Sequence, residues 1–133
     1  MMVAKLTPYI SSEDARTQAE FYKDSLGGEI LSVMTFGQVQ GTTEANKDKI
    51  MHLVLSVAGG NEIFLSDSFV PVSGERSIAM ALAYDTEDAA REAFTNLLEG
   101  GQVKFPFEQQ AWGSYYGEAV DKFGVTWQIV KQM

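Results

Sequence analysis

Two stretches decide the fold: SEDARTQAEFYKDSLGGEI (Ser12–Ile30) and TEDAAREAFTNLLEGGQV (Thr86–Val103). Set side by side, each carries an acidic pair (Glu13-Asp14; Glu87-Asp88) before an alanine and ends on a Gly-Gly step (Gly27-Gly28; Gly100-Gly101). In the first, Ala15, Ala19, Tyr22 and Leu26 recur at the i, i+4, i+7, i+11 spacing of one helix face; Ala90, Phe94, Leu97 and Leu98 form the same kind of stripe in the second. Both read as amphipathic helices. Ser12 and Thr86 supply hydroxyls for the N-caps, the acids that follow favour the positive end of the helix dipole, and each Gly-Gly supplies a left-handed residue at the C-terminus.

Outward from the helices the repeat extends. An apolar stretch precedes each one (Val3 to Ile10; Ile78 to Tyr84), and β-forming segments follow. In the first half these include Met51–Val57 and Glu62–Ser66, joined by Ala58-Gly59-Gly60-Asn61, a hairpin signal. Their counterparts are Ser114 to Val120 and Val125 to Lys131, joined by Asp121-Lys122-Phe123-Gly124. Aligning Gly60 with Gly124 places Phe64 opposite Gln128. The chain therefore reads as α+β: two βαβββ repeats whose curved, mostly antiparallel sheets are expected to enclose a cleft, helices covering one face of each. The irregular stretch is Gly37 to Asp48, polar and glycine-containing, expected as a long mobile loop.

Composition bounds the chemistry. With 133 residues, 45% of them hydrophobic, the chain fits a single domain (1–133), its repeats at about 1–70 and 76–133. No cysteine is present, which excludes a disulfide framework, a cysteine nucleophile, iron–sulfur ligation and thiolate zinc. One histidine, His52, cannot by itself build a two-histidine metal site. Eighteen acids against ten scattered bases, a net charge of -8, leave no stripe to neutralise phosphates, so no nucleic-acid partner is expected. Met1-Met2-Val3-Ala4-Lys5 leads into Leu6-Thr7-Pro8-Tyr9 without a signal core, and no run approaches about 18 apolar residues. A soluble, cytoplasmic protein with no membrane partner is the expectation.

Taken in order, Thr7-Pro8-Tyr9-Ile10, Phe21-Tyr22, Leu26-Gly27-Gly28-Glu29, Phe36-Gly37, His52, Ala58-Gly59-Gly60, Leu65-Ser66-Asp67, Tyr116-Gly117 and Asp121 to Trp127 resemble one known group. The chain resembles the vicinal oxygen chelate superfamily of glyoxalase, bleomycin-resistance and extradiol dioxygenase proteins. Within it, the likeness is to the PhnB-like branch, often labelled 3-demethylubiquinone methyltransferase-like. The resemblance implies the paired βαβββ fold and a homodimer. It also implies four metal-ligand positions, one on the first and one on the last strand of each repeat, which here are Thr7, Phe64, Ala79 and Gln128. Phe64 and Ala79 cannot coordinate, and a threonine hydroxyl with a carboxamide is a poor donor set. Neither a metal nor another cofactor is therefore expected.

Strand parity selects the remaining candidates. Leu53, Leu55 and Val57 alternate with His52, Val54 and Ser56, so an apolar face towards the helix turns His52 the other way, as general base or hydrogen-bond partner; the alternative is a structural histidine. The same parity turns Tyr116 and Glu118 inward and Tyr115, Gly117 and Ala119 outward, making Glu118 an acid or base candidate. Tyr9, Phe36, Phe64, Trp112 and Tyr116, with Gln128, are the expected ligand-binding wall. Phe21, Tyr22, Phe94 and Trp127 read as core, and Asp67 and Asp121 as turn residues. Phosphate-loop, dinucleotide and nucleophile-elbow motifs are absent, and no glycine-rich strand-turn-helix site for a nucleoside cofactor supports methyl transfer. The leading expectation is a PhnB-like protein that binds a small organic molecule in the cleft between repeats without a metal. The rivals are a cofactor-independent enzyme using His52 and Glu118 on a carbonyl compound, and weak metal binding through carboxylates shared between protomers.

Overall fold

The structure, a computed structural model, describes residues 5–39, 41–72 and 78–131. The chain forms two compact units, Met1–Ser73 and Gly74–Met133. In the first, the order is β1 (Tyr9–Ser12), α1 (Ala15–Leu26), β2 (Gly28–Thr35), β3 (Ile50–Val57) and β4 (Asn61–Asp67). In the second it is β5 (Met80–Tyr84), α2 (Glu87–Leu97), β6 (Gln102–Gln109), β7 (Tyr115–Val120) and β8 (Thr126–Lys131). Each unit is a four-stranded mixed sheet with one helix, ordered β1-β4-β3-β2 and β5-β8-β7-β6. The outermost pairs β1–β4 and β5–β8 are parallel, and the others antiparallel.

The registers of the parallel pairs and of the β3–β4 and β7–β8 hairpins are the same in both units. Val54 faces Phe64 across the first hairpin as Glu118 faces Gln128 across the second, and Tyr9 pairs with Phe64 as Ala81 pairs with Gln128. Burial fixes this phase. Leu53, Leu55 and Val57 on β3, with Ile63 and Leu65 on β4, are buried against α1. A one-residue slip would turn that whole set to the other face, and each leucine-sized side chain stabilises by about 1.5–3 kcal/mol when buried. In the second unit Ala119, Trp127 and Ile129 occupy the same face, packed with Ala90, Ala93, Phe94 and Leu97 of α2.

The helix starts differ from the expected alignment. Thr86 does cap α2, accepting from the Ala89 amide, but α1 is capped by Asp14, which accepts from the Thr17 amide and hydroxyl. Ser12 is still paired with Asp67 in the sheet, and its hydroxyl accepts from the Asp14 amide. A residue held in the ladder cannot also take the N-cap geometry, so the cap falls to the next suitable side chain. Asp14 is thus the equivalent of Thr86, and the two acidic pairs are not equivalent. At the other ends, Gly27 (φ 75°) and Gly100 (φ 74°) both take the positive φ that glycine permits, Gly27 with an extended ψ of 129°.

Two further findings concern strand bounds and loop. β1 begins at Tyr9, after Lys5 to Pro8, and the start of the expected apolar stretch, in residues 1–4, lies outside the described set. The stretch Gly37 to Asp48, expected as a mobile loop, contains a 3₁₀ turn at Glu44–Asn46 and begins within another at Phe36–Gln38. Its two arms are bonded together through Phe36 N to Lys49 O and Gly37 N to Lys47 O. A Cβ on Gly37 would lie 2.7 Å from that Lys47 oxygen, so the close approach requires glycine.

Candidate functional site

Asp67 and Asp121, read as turn residues, hold more than turns. Asp67 accepts from Ala15 N at 2.8 Å and from Ile50 N at 2.7 Å, tying the end of β4 to the starts of α1 and β3. Asp121, 3% exposed, accepts from the amides of Phe123 and Val125 and from the Trp127 indole at 2.8 Å. Both carboxylates are committed to backbone and core, which leaves the open sheet faces as the places for chemistry.

On the first unit's open face, three expected residues meet. Tyr9 on β1, His52 on β3 and Phe64 on β4 form a ring cluster, with centroids 4.7 Å apart for His52–Phe64, 5.6 Å for Tyr9–His52 and 6.0 Å for Tyr9–Phe64. His52 Nδ1 lies 3.3 Å from the Tyr9 hydroxyl, which is itself 3.5 Å from the Met51 carbonyl. With Nδ1 engaged, Nε2 is the imidazole atom available for proton exchange with a guest. Tyr9 is 55% exposed and can stack on a flat molecule. Phe36 instead packs on Phe69, at 5.1 Å.

The open face of the second unit carries a pocket. Phe105, Pro106, Glu108, Gln110, Trp112, Tyr116 and Glu118 line a pocket of about 280 Å³. Its shape comes from β6. Val103 pairs with Ala119 and Phe105 with Glu118, so Lys104 is an extra residue; Phe105 to Glu108 spans Glu118 to Tyr116, which places a second extra residue on the same strand. Pro106, with no N–H for the ladder, lies in that second irregularity. The rim is the turn Gln110–Ser114, where Gly113 N bonds Gln110 O and the Trp112 indole donates to the Ser114 hydroxyl at 2.6 Å.

Glu118 forms the polar part of this wall. It is 8% exposed and accepts from the Tyr116 hydroxyl through Oε2, while Oε1 lies 3.9 Å from Lys104 Nζ, too long for a direct hydrogen bond. Burial, the bond to Glu118 and that carboxylate's charge, in that order, push the Tyr116 phenol up from 10.0 to about 12. Gln128 pairs with Glu118 across the β7–β8 ladder and shares its face. On the other face Gly117 is required, since a Cβ there would come within 2.9 Å of Phe94 and Phe107.

Of the expected residues, Trp112, Tyr116 and Glu118 thus share one pocket, and Tyr9, His52 and Phe64 share another cluster. The sequence reading missed Phe105, Pro106, Glu108 and Gln110; the available signal was the proline inside an otherwise β-forming run, which marks a bulge.

A metal of the kind the fold family holds does not fit the residues present. Phe64 pairs with Tyr9, and Gln128 with Ala81, so the register puts Tyr9 and Ala81 beside them, and the expected Thr7 and Ala79 lie two residues earlier, ahead of β1 and β5. Phe64 and Ala79 nevertheless have no lone pair to offer, and Thr7 and Gln128 are neutral oxygen donors. Among the described residues no three His, Asp or Glu side chains converge to hold an ion. No described helix is long and apolar enough to cross a membrane.

Comparison with known proteins places this architecture. No curated protein matches the sequence. Among solved structures, protein PA1353 from Pseudomonas aeruginosa is 29% identical with a TM-score of 0.84, 98% of each chain being covered. The putative 3-demethylubiquinone-9 3-methyltransferase, PhnB protein, from Bacillus cereus is 21% identical with a TM-score of 0.79 over 97% of this chain and 100% of that one. A glyoxalase/bleomycin resistance protein/dioxygenase family enzyme from Burkholderia phytofirmans, 13% identical, shares the fold with a TM-score of 0.65 over 94% of this chain and 95% of its own. The family model described as 3-demethylubiquinone-9 3-methyltransferase matches residues 4–130, nearly the whole sequence, and the chain belongs to that PhnB-like family on the glyoxalase/bleomycin resistance fold.

Proposed function

We propose that the protein binds a small organic molecule, without a metal, in the pocket on the open face of its second sheet. The observation that carries this reading is the pairing of an aromatic wall, Phe105, Trp112 and Tyr116, with one buried carboxylate, Glu118, in a space of about 280 Å³. Apolar walls supply most of the binding energy of such pockets and a few placed polar groups set orientation. Methyl transfer, named in the family description, forms no part of the proposal, since the strand-to-helix junctions Ser12-Glu13-Asp14 and Asp85-Thr86 carry no glycine-rich turn for a nucleoside cofactor. The setting proposed for this binding is cytoplasmic, and the family resemblance implies a homodimer; a monomer mass in sedimentation would remove the dimer.

The test is calorimetric titration with small aromatic amines, alcohols and acids. Trp112→Ala should weaken whichever probe binds by about tenfold, as expected for loss of one stacking face. Unchanged affinity in that variant would refute the site. Equilibration with zinc, nickel or manganese should leave less than one tightly held ion per chain.

A second reading follows from the hydrogen-bonded pairs Tyr9–His52 and Tyr116–Glu118, each of which can hold and pass a proton. It makes the protein a cofactor-independent acid–base enzyme on a carbonyl compound. His52→Ala or Glu118→Gln variants that lose turnover but retain substrate affinity would support this reading over simple binding.

A further inference from the structure

We propose that the guest of the second unit's pocket is an organic cation, an ammonium carried on a flat or apolar body. This inference rests on the small-molecule reading above and specifies its ligand class. Three aromatic side chains, Phe105, Trp112 and Tyr116, line the pocket together with two carboxylates, Glu108 and Glu118, and no lysine or arginine is among the lining residues. An ammonium over an aromatic face is attracted by the negative face of the ring, the more so when water is excluded.

The bonding of Glu118 gives this attraction a centre. Its Oε2 is held by the Tyr116 hydroxyl, which fixes the carboxylate, and its Oε1 has Lys104 Nζ only at 3.9 Å. A carboxylate that is 8% exposed carries a desolvation cost that a close cation offsets. Lys104 is a poor resident counter-ion, because it is the extra residue of the first β6 bulge and its side chain is half exposed. An incoming ammonium can take the Oε1 position while Lys104 turns out to water. Electrostatics outside the pocket act in the same direction, since the net charge of -8 draws cations and repels anions. A neutral guest would bring no charge to Oε1 beyond the distant Lys104, and an anionic guest would meet two carboxylates.

The experiment is a nitrogen–proton NMR titration of the full chain, following the Trp112 indole signal, with three probes of similar shape: benzylamine, benzyl alcohol and benzoate. Benzylamine should bind about tenfold more tightly than benzyl alcohol, and benzoate should leave the signal unmoved. Glu118→Gln should bring benzylamine down to the benzyl alcohol level, whereas Lys104→Ala should leave its affinity equal or raised. Equal affinity for benzylamine and benzyl alcohol at Trp112 overturns the cation inference while keeping the small-molecule site. No movement of Trp112 with any probe overturns both. Glu118→Gln is folded for this purpose if its amide spectrum outside β6 and β7 overlays that of the parent.

Discussion

The two units have one scaffold and two different interiors. Their strand orders and hairpin registers coincide, so Val57 corresponds to Asp121, Ile63 to Trp127, Gln18 to Ala90 and Tyr22 to Phe94. Among the described residues each core holds a polar pair, but at a different place. In the first unit Gln18 donates to the Tyr22 hydroxyl at 2.8 Å within α1, where the second unit has the apolar Ala90 and Phe94. In the second unit the buried Asp121 holds the Trp127 indole, where the first has Val57 against Ile63. The open faces diverge further, with Tyr9, His52 and Phe64 on one side of the comparison and Ala81, Tyr116 and Gln128 on the other. Backbone pairing therefore fixes where a side chain sits and which way it points, and leaves its chemistry free.

Removing the polar pair of the second unit is the strongest way to break the comparison. Asp121→Val gives the position its first-unit residue but removes the carboxylate that three donors share, so a loss of roughly 3–5 kcal/mol is expected by denaturant unfolding. Trp127→Phe removes one of those donors, and a double-mutant cycle should show about 1 kcal/mol of coupling between the two sites. Strict additivity would show that the indole bond contributes nothing.

The next test sharpens the likeness. A Cβ on Gly28 would lie 1.9 Å from Ser56 O, and one on Gly101 would lie 2.1 Å from Val120 O. Both alanine substitutions should cost about the same, roughly 1–3 kcal/mol or more, because the backbone itself must shift. Gly59→Ala, at φ 88° with nothing within 4 Å, should cost only about 1 kcal/mol of conformational strain. If Gly28→Ala were harmless and Gly101→Ala severe, the two helix-to-strand crossings would not be equivalent.

Smaller effects are expected from the first unit's polar pair. Tyr22→Phe matches the second unit's Phe94 and leaves the Gln18 amide short of its acceptor, at a cost of roughly 1–2 kcal/mol in thermal or urea unfolding. An unaltered midpoint would place Gln18 as a spectator.

The smallest is a pH effect in the second unit. Because the folded state raises the Tyr116 phenol from 10.0 to about 12, it favours the protonated form. The stability this contributes is complete below pH 10.0 and is lost as pH rises through about 12. Rapid-mixing absorbance of tyrosinate should show Tyr116 titrating late, a signal that Tyr116→Phe removes while the Tyr84 phenol, also raised by burial and by the charge of Glu92, remains. Glu118→Gln should bring it only part of the way down, since burial is the leading cause. A full return to 10.0 would assign the whole shift to the carboxylate.

The sequence comparison of the two halves made the hairpins legible, because each is set by a glycine turn and by buried alternation that admits one phase. Tyr116, Glu118 and His52 were legible for the same reason, their faces following from the leucines and alanines beside them. The α1 cap was not, since Ser12 and Asp14 both suit an N-cap and only the β1–β4 pairing removes Ser12 from the choice. Nor was most of the pocket, because Phe105, Glu108 and Gln110 take their places from two bulges on β6 that shift parity twice within one strand. Alternation cannot be counted through such shifts.

Those bulges have a consequence beyond the pocket. β6 is the outer strand of the second unit's sheet, and a long, regular outer strand presents a row of unpaired amides and carbonyls onto which another chain can add. On β6 that row is interrupted by the two irregularities, by Pro106 and by the charge of Lys104. The distortion that shapes the pocket thus also makes the strand a poor template for edge-to-edge addition, and straightening it would present a regular edge as well as reshape the pocket.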